Sequence, residues 1–213
     1  MFERKDLIDD FIAKVTSVDF EDYGSFKITQ ISGNDDEIAL DCLITIDDDG
    51  DFPKSWIVKA SGVRKNAVSL GWVDNVSFHT DHVLLKEFSD PVLRLGFRGV
   101  PENPLAVLGS LYKSHVEYSN SWIDFSAFFH DREVTSLLKS GFGVLAEGPK
   151  SFVDIYDGVL RSYGIETKIS GTRDPVEWSG SEFKEYPKLK VLVFDHRFVV
   201  AEHVSATFSQ ISD

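Results

Sequence analysis

Residues 37–46, EIALDCLITI, place Ile38, Leu40, Cys42, Ile44 and Ile46 at every second position. A two-residue period puts that whole set on one side of an extended chain and the more polar set on the other. The segment therefore reads as a strand with one buried face. Residues 24–31 (GSFKITQI) read as its partner, joined to it by the turn Ser32–Asp36. Further strand patterns occupy 55–60, 74–88 and 92–98, separated by Gly, Pro and Asn signals. Short links and repeated alternation favour an antiparallel meander, since parallel neighbours need long crossovers.

Helical patterns flank this region. Over residues 3–15, Leu7, Ile8, Phe11, Ile12 and Val15 fall on one stripe at three- and four-residue spacing, which predicts an amphipathic N-terminal helix. Beyond Val100, Asn103 reads as an N-cap and Pro104 suits the first helical position, with Leu108, Leu111, Tyr112 and His115 as the buried stripe. A second helix runs from an Asp131 cap through Val134, Leu137 and Leu138 to Gly141. Next come a strand at 142–147, a helix from Pro149 to Tyr163 closed by Gly164, and a strand at 165–169. A loop of about 18 residues, 171–188, leads to a final hairpin of 189–195 with 198–208. The predicted class is α+β: an antiparallel-dominated mixed sheet with an N-terminal meander, an N-terminal helix and about three further helices in the C-terminal half. One domain, 1–213, is the expected organisation; the alternative is a strand-rich lobe, 1–99, and a mixed lobe, 100–213.

Charge is unevenly spread. Residues 1–51 carry 15 Asp and Glu against four Lys and Arg, whereas the rest of the chain carries 20 against 18. Such a field repels nucleic acid and anionic membrane and attracts cations or basic partners. The single cysteine, Cys42, excludes an internal disulfide and suits a reducing compartment. The first 15 residues lack a continuous apolar core of signal-peptide type, and no apolar run approaches the roughly 20 residues that span a bilayer. A cytoplasmic location is expected.

Candidate chemistry is sparse. The run from Gly143 to Ser151 almost spells a phosphate-binding loop, but Pro149 stands where the lysine belongs and removes a backbone donor. A softer expectation survives: Lys150 and Ser151 in the first turn of a helix would form an anion site, an ordinary capped helix being the competing reading. Asp47–Asp51 fails the calcium-loop test because Phe52 stands where glycine is required. His79 and His82, three apart on a predicted strand, would point to opposite faces. His115 reads as a satisfied core histidine, and Cys42 as a buried structural thiol. No cofactor and no metal site is expected, and no catalytic constellation emerges.

Two surface features remain. Antiparallel pairing of the first two strands would bring Glu21 and Asp22 near Asp47, Asp48, Asp49 and Asp51, six carboxylates at one hairpin end. A solvated acidic turn is the competing reading. The 171–188 loop carries Arg173, Trp178, Phe183 and Tyr186, which suit binding anchors or a loop folded onto its own core. The leading expectation is a non-enzymatic acidic interaction protein that binds a basic protein partner. Its composition resembles small acidic bacterial proteins that neutralise basic toxins, a likeness that identifies no family. The alternatives are a small-molecule-binding protein or enzyme, with a pocket between the sheet and the 171–188 loop and Lys150, Arg173 and His196 or His203 as polar groups, and a structural or regulatory subunit of a homo-oligomer.

Overall fold

The computed structural model describes residues 6–46, 54–130, 133–178, 180–185 and 187–209. The fold is α+β, and every strand pairing among the described residues is antiparallel. In chain order, α1 (Ile8–Val15) and α2 (Val18–Tyr23) precede β1 (Gly24–Gly33), β2 (Glu37–Ile46), β3 (Lys54–Asn66), β4 (Gly71–Val73) and β5 (Val76–His79). Then come α3 (Lys86–Ser89), β6 (Val92–Arg98), α4 (Pro104–Ser119), α5 (Val134–Ser140), β7 (Phe142–Pro149) and α6 (Lys150–Ser162). The chain closes with β8 (Glu166–Arg173), β9 (Val176–Trp178), β10 (Phe183–Glu185), β11 (Lys190–Phe194) and β12 (Arg197–Ser209). These elements form two compact units: residues 1–82 with 187–213, and the contiguous stretch 83–186.

The first unit is a seven-stranded sheet in the order β4-β1-β2-β3-β12-β11-β5. Its core follows the alternation read in the sequence: Ile38, Leu40, Cys42 and Ile44 are buried, and Phe26, Ile28, Trp56 and Val58 join them from neighbouring strands. Helix α1 lays Phe11 and Val15 on this face, with Phe11 edge-on to both Phe26 and Trp56. Strand β3 runs well beyond the predicted 55–60. It passes through Gly62, whose φ of +62° strains an L side chain and where a Cβ would meet the Glu202 side chain at 2.6 Å. Just beyond, Arg64 and Glu202 form a half-buried ion pair at 2.5 Å.

Helix α2 was not anticipated. Ser17 caps it by accepting the Phe20 N–H at 3.2 Å, and its six residues are too few to show a periodic stripe. The predicted strand 74–88 is also corrected. Strand β5 stops at His79, and a 3₁₀ turn (Val83–Leu85) runs into α3. Leu84 and Leu85 are both buried, which a helical turn permits and the alternation of a single strand face does not.

In the second unit β6 lies between β7 and β8, and α6 packs on this three-stranded sheet beside α4. Asn103 caps α4 as predicted, accepting the Ala106 N–H at 3.1 Å. The buried line is Val107, Leu111, His115 and Ser119; Tyr112 is exposed and Leu108 only half-buried, so the expected stripe is rotated by one residue. Gly141 closes α5 in the left-handed region at φ +78°, as read from the sequence; Asp131, the expected cap, lies outside the described residues. The 171–188 loop is corrected as well. β8 extends to Arg173, and β9 pairs with β10 from Val176↔Glu185 to Trp178↔Phe183 as a small hairpin.

Candidate functional site

The acidic hairpin end is the first candidate. Gly24 pairs with Ile46, so the chain entering β1 and the chain leaving β2 meet at one end. Glu21 and Asp22, on α2, are exposed there; Asp47, Asp48, Asp49 and Asp51 lie outside the described residues. The same short helix exposes Val18 by 70% and Tyr23 by 60%, so two large apolar side chains flank the two carboxylates. Sequence reasoning missed Val18 and Tyr23 because α2 was not foreseen; the signal available was Ser17 as a helix cap. At the other hairpin end, the Asn34 side chain accepts the N–H groups of Asp36 and Glu37, both at 2.9 Å, in a tight polar turn.

The anion site expected at Lys150 and Ser151 is filled from within the chain. The Ser151 N–H donates to the Asp90 carboxylate at 3.0 Å, and the Lys150 N–H donates to the Pro91 carbonyl at 2.9 Å. An internal carboxylate thus sits where the helix dipole favours negative charge. The Lys150 ammonium binds Asp154 one turn on, and that hydrogen bond holds its pKa above the ordinary value. Of the loop residues, Arg173 and Phe183 are exposed, Trp178 lies in β9, and Tyr186 lies outside the described residues. Lys150 and Arg173 belong to the second unit, His196 and His203 to the first.

His79 and His82 come together instead of diverging. Because β5 ends at His79 and the chain bends through Thr80–Asp81, the two rings lie 5.2 Å apart. Burial, followed by the neighbouring imidazole, lowers the His82 pKa, with Asp81 opposing. Among the described residues, no group of three or more His, Cys, Asp or Glu is placed to hold a metal ion.

His115 is a core histidine, as its place on α4 predicted. Its Nε2 lies 2.8 Å from the Ile123 carbonyl and its Nδ1 2.7 Å from the Tyr156 hydroxyl. A carbonyl only accepts, so Nε2 carries a proton; in the neutral ring, Nδ1 then accepts from Tyr156. Burial pushes the Tyr156 phenol well above its ordinary pKa, which keeps that donor in place. Around this pair stand Phe125, Phe129 and Phe152, with Phe129 stacked on Tyr156 at 5.2 Å and Phe125 edge-on to His115 at 5.5 Å.

Beside these rings is a cavity of about 180 Å³ lined by Leu108, Phe125, Ser126, Phe129, Glu133, Val134 and Thr135. Three separate segments build it: α4, the 3₁₀ turn Phe125–Phe128 with Phe129, and the start of α5.

Cys42 is buried, and its thiol is pushed up to about 12, chiefly by desolvation and secondarily by Asp41. The native protein is therefore expected to resist a thiol reagent such as DTNB at pH 8 and to react after denaturation. Since the unfolded thiol ionises near 9.0 and the native one near 12, the native state loses stability as pH rises between those values. Rapid labelling of the folded protein at pH 8 would contradict the burial.

No protein-family model, curated protein or solved structure matches the chain. No helix among the described residues is long and apolar enough to cross a membrane.

Proposed function

We propose that the protein is a non-enzymatic interaction protein that receives a basic protein partner at the α2 end of its first hairpin. The observation that carries this reading is the surface of α2, where Val18 and Tyr23 are exposed beside the exposed carboxylates of Glu21 and Asp22. A basic surface is steered and oriented by carboxylates, whereas affinity comes mainly from apolar and aromatic side chains that lose water on contact. One six-residue helix supplies both. In sequence, Ile46 is followed directly by Asp47, Asp48, Asp49 and Asp51, four further carboxylates of the same sign.

The test separates the two contributions. Partners captured at low salt by the wild type are compared with those captured by a variant carrying amides at Glu21, Asp22, Asp47, Asp48, Asp49 and Asp51, and by Tyr23→Ala. For an identified basic partner, the amide variant is expected to slow association and flatten its salt dependence. Tyr23→Ala is expected to weaken Kd by about thirtyfold, the equivalent of about 2 kcal/mol. Equal capture of the same partners by the amide variant overturns the reading.

A further inference from the structure

We propose that β8 is a self-association edge, along which a second copy of this chain pairs its own β8 antiparallel about a two-fold axis. The three-stranded sheet ends in β7 on one side and β8 on the other. The outer side of β7 is already engaged: Phe129 bridges to Ala146, and the His130 N–H donates to the Leu145 carbonyl at 3.0 Å. The edges of the seven-stranded sheet are short, three residues in β4 and four in β5. β8, by contrast, runs for eight residues without a proline. Among the described residues it pairs with β6 alone, and no backbone hydrogen bond from another segment reaches it. Such an edge presents a row of unpaired N–H and C=O groups that another strand can satisfy.

The side chains select the occupant. Residues paired across a sheet share a face, and β8 pairs as Arg98↔Glu166, Gly96↔Lys168, Arg94↔Ser170 and Val92↔Arg173. Glu166, Lys168, Ser170 and Arg173 therefore share one face, and all four are exposed. Arg173 joins that set because the register shift between Val92 and Leu93 makes Thr172 an extra residue. The other face carries Thr167 and Ile169, both half-buried. Glu166, Lys168 and Arg173 have no ion-pair partner among the described residues.

A second β8 turned about an axis at Ile169 covers the whole strand. It sets each Glu166 beside the partner's Arg173 and each Lys168 beside the partner's Ser170, while Ile169 meets its own copy on the other face. Moving the axis by one residue brings like charges together. At Lys168 it opposes two lysines, and at Ser170 it opposes Lys168 to the partner's Arg173. The register of fullest overlap is thus also the one that is complementary in charge, and two-fold symmetry makes each favourable pair twice. This contact lies in the second unit and is independent of the α2 surface.

Sedimentation velocity of the full chain tests it. Wild type is expected to pass from monomer to dimer between about 1 and about 300 µM, the weak range for a contact through one strand pair. Glu166→Arg and Arg173→Glu each place two like-charge pairs in the homodimer and are expected to weaken it at least about tenfold. An equimolar mixture of the two variants restores opposite charges at both ends and is expected to dimerise as tightly as wild type. Both positions are exposed, so each variant should melt as wild type does. In wild type, hydrogen exchange of the 166–173 amides is expected to slow as concentration rises. A wild type that stays monomeric to about 300 µM overturns the proposal. So do variants that dimerise undiminished, a mixture that stays monomeric, or exchange protection confined to other strands.

Discussion

Phe152→Ala is expected to cost the second unit about 3–5 kcal/mol, the range for removing a fully buried aromatic side chain. Phe152 is completely buried on α6, and its ring meets four others: Phe128 at 4.8 Å, Tyr118 at 5.0 Å, His115 at 5.2 Å and Tyr156 at 6.5 Å. Alanine would leave a void against rings that are already held by their own partners. The most constrained is His115, fixed at both nitrogens. A wall that cannot relax keeps the cavity open, so the loss should fall toward the upper part of the range. Urea denaturation, read through hydrogen exchange of α4 and α6 amides, measures it. A loss below about 1 kcal/mol would mean that the cluster collapses around the gap, contrary to the rigidity argued from His115.

Asp195→Ala is the second substitution with a large expected effect, about 2–4 kcal/mol in the first unit. Asp195 stands between β11 and β12 at φ +57°, a left-handed conformation that alanine adopts at a cost of about 1 kcal/mol and that Asp, Asn and Gly tolerate better. Its Oδ1 accepts the N–H groups of Asp74 and Asn75 at 3.0 and 2.8 Å, and its Oδ2 accepts from Arg197 at 2.9 Å. The Arg197 side chain is only 13% exposed and also donates to the Trp72 and Ser69 carbonyls. Removing the carboxylate leaves a largely buried guanidinium without its counter-charge, which outweighs the loss of two turn hydrogen bonds. Thermal unfolding should rank Ala as the worst substitution, Gly next and Asn the mildest. Asn keeps both the backbone preference and one acceptor for the 74–75 amides. If Asn proves as damaging as Ala, the ion pair alone accounts for the stability of this turn.

These two substitutions also mark the boundary of what the chain reveals without its structure. The alternation of 37–46 and the 92–98 run located two strands to the residue, because burial of one sheet face writes a period of two directly into the sequence. Asn103 and Gly141 were equally legible, since capping and left-handed closure depend on the local residue type. Helix α2 and the turn at Val83–Leu85 were not: an element of three to six residues is shorter than the window over which a period can be counted. A continuous strand would point His79 and His82 to opposite faces, and two residues of bend bring their rings together instead. The Asp195 carboxylate lies about 120 residues away from the amides that it holds. The cavity beside α4 and α5 draws on three segments, so no spacing rule exposes it. The first hairpin was half legible: the pairing of β1 with β2 could be read, while the exposed Val18 and Tyr23 on α2 could not.

The order of strands in the first unit has a consequence for the time course of synthesis. β12 lies between β3 and β11, and both β11 and β12 come from residues after 187. A strand cannot pair before it exists. Until the last stretch has been made, β1 to β4 form only a four-stranded fragment with the long edge of β3 unpaired, and β5 has no neighbour. The second unit, contiguous from 83 to 186, is complete before that stretch is made. The ribosome thus delivers residues 83–186 before the sheet begun at residue 24 can close, and the 13 residues of β12 act as the fastener of that sheet.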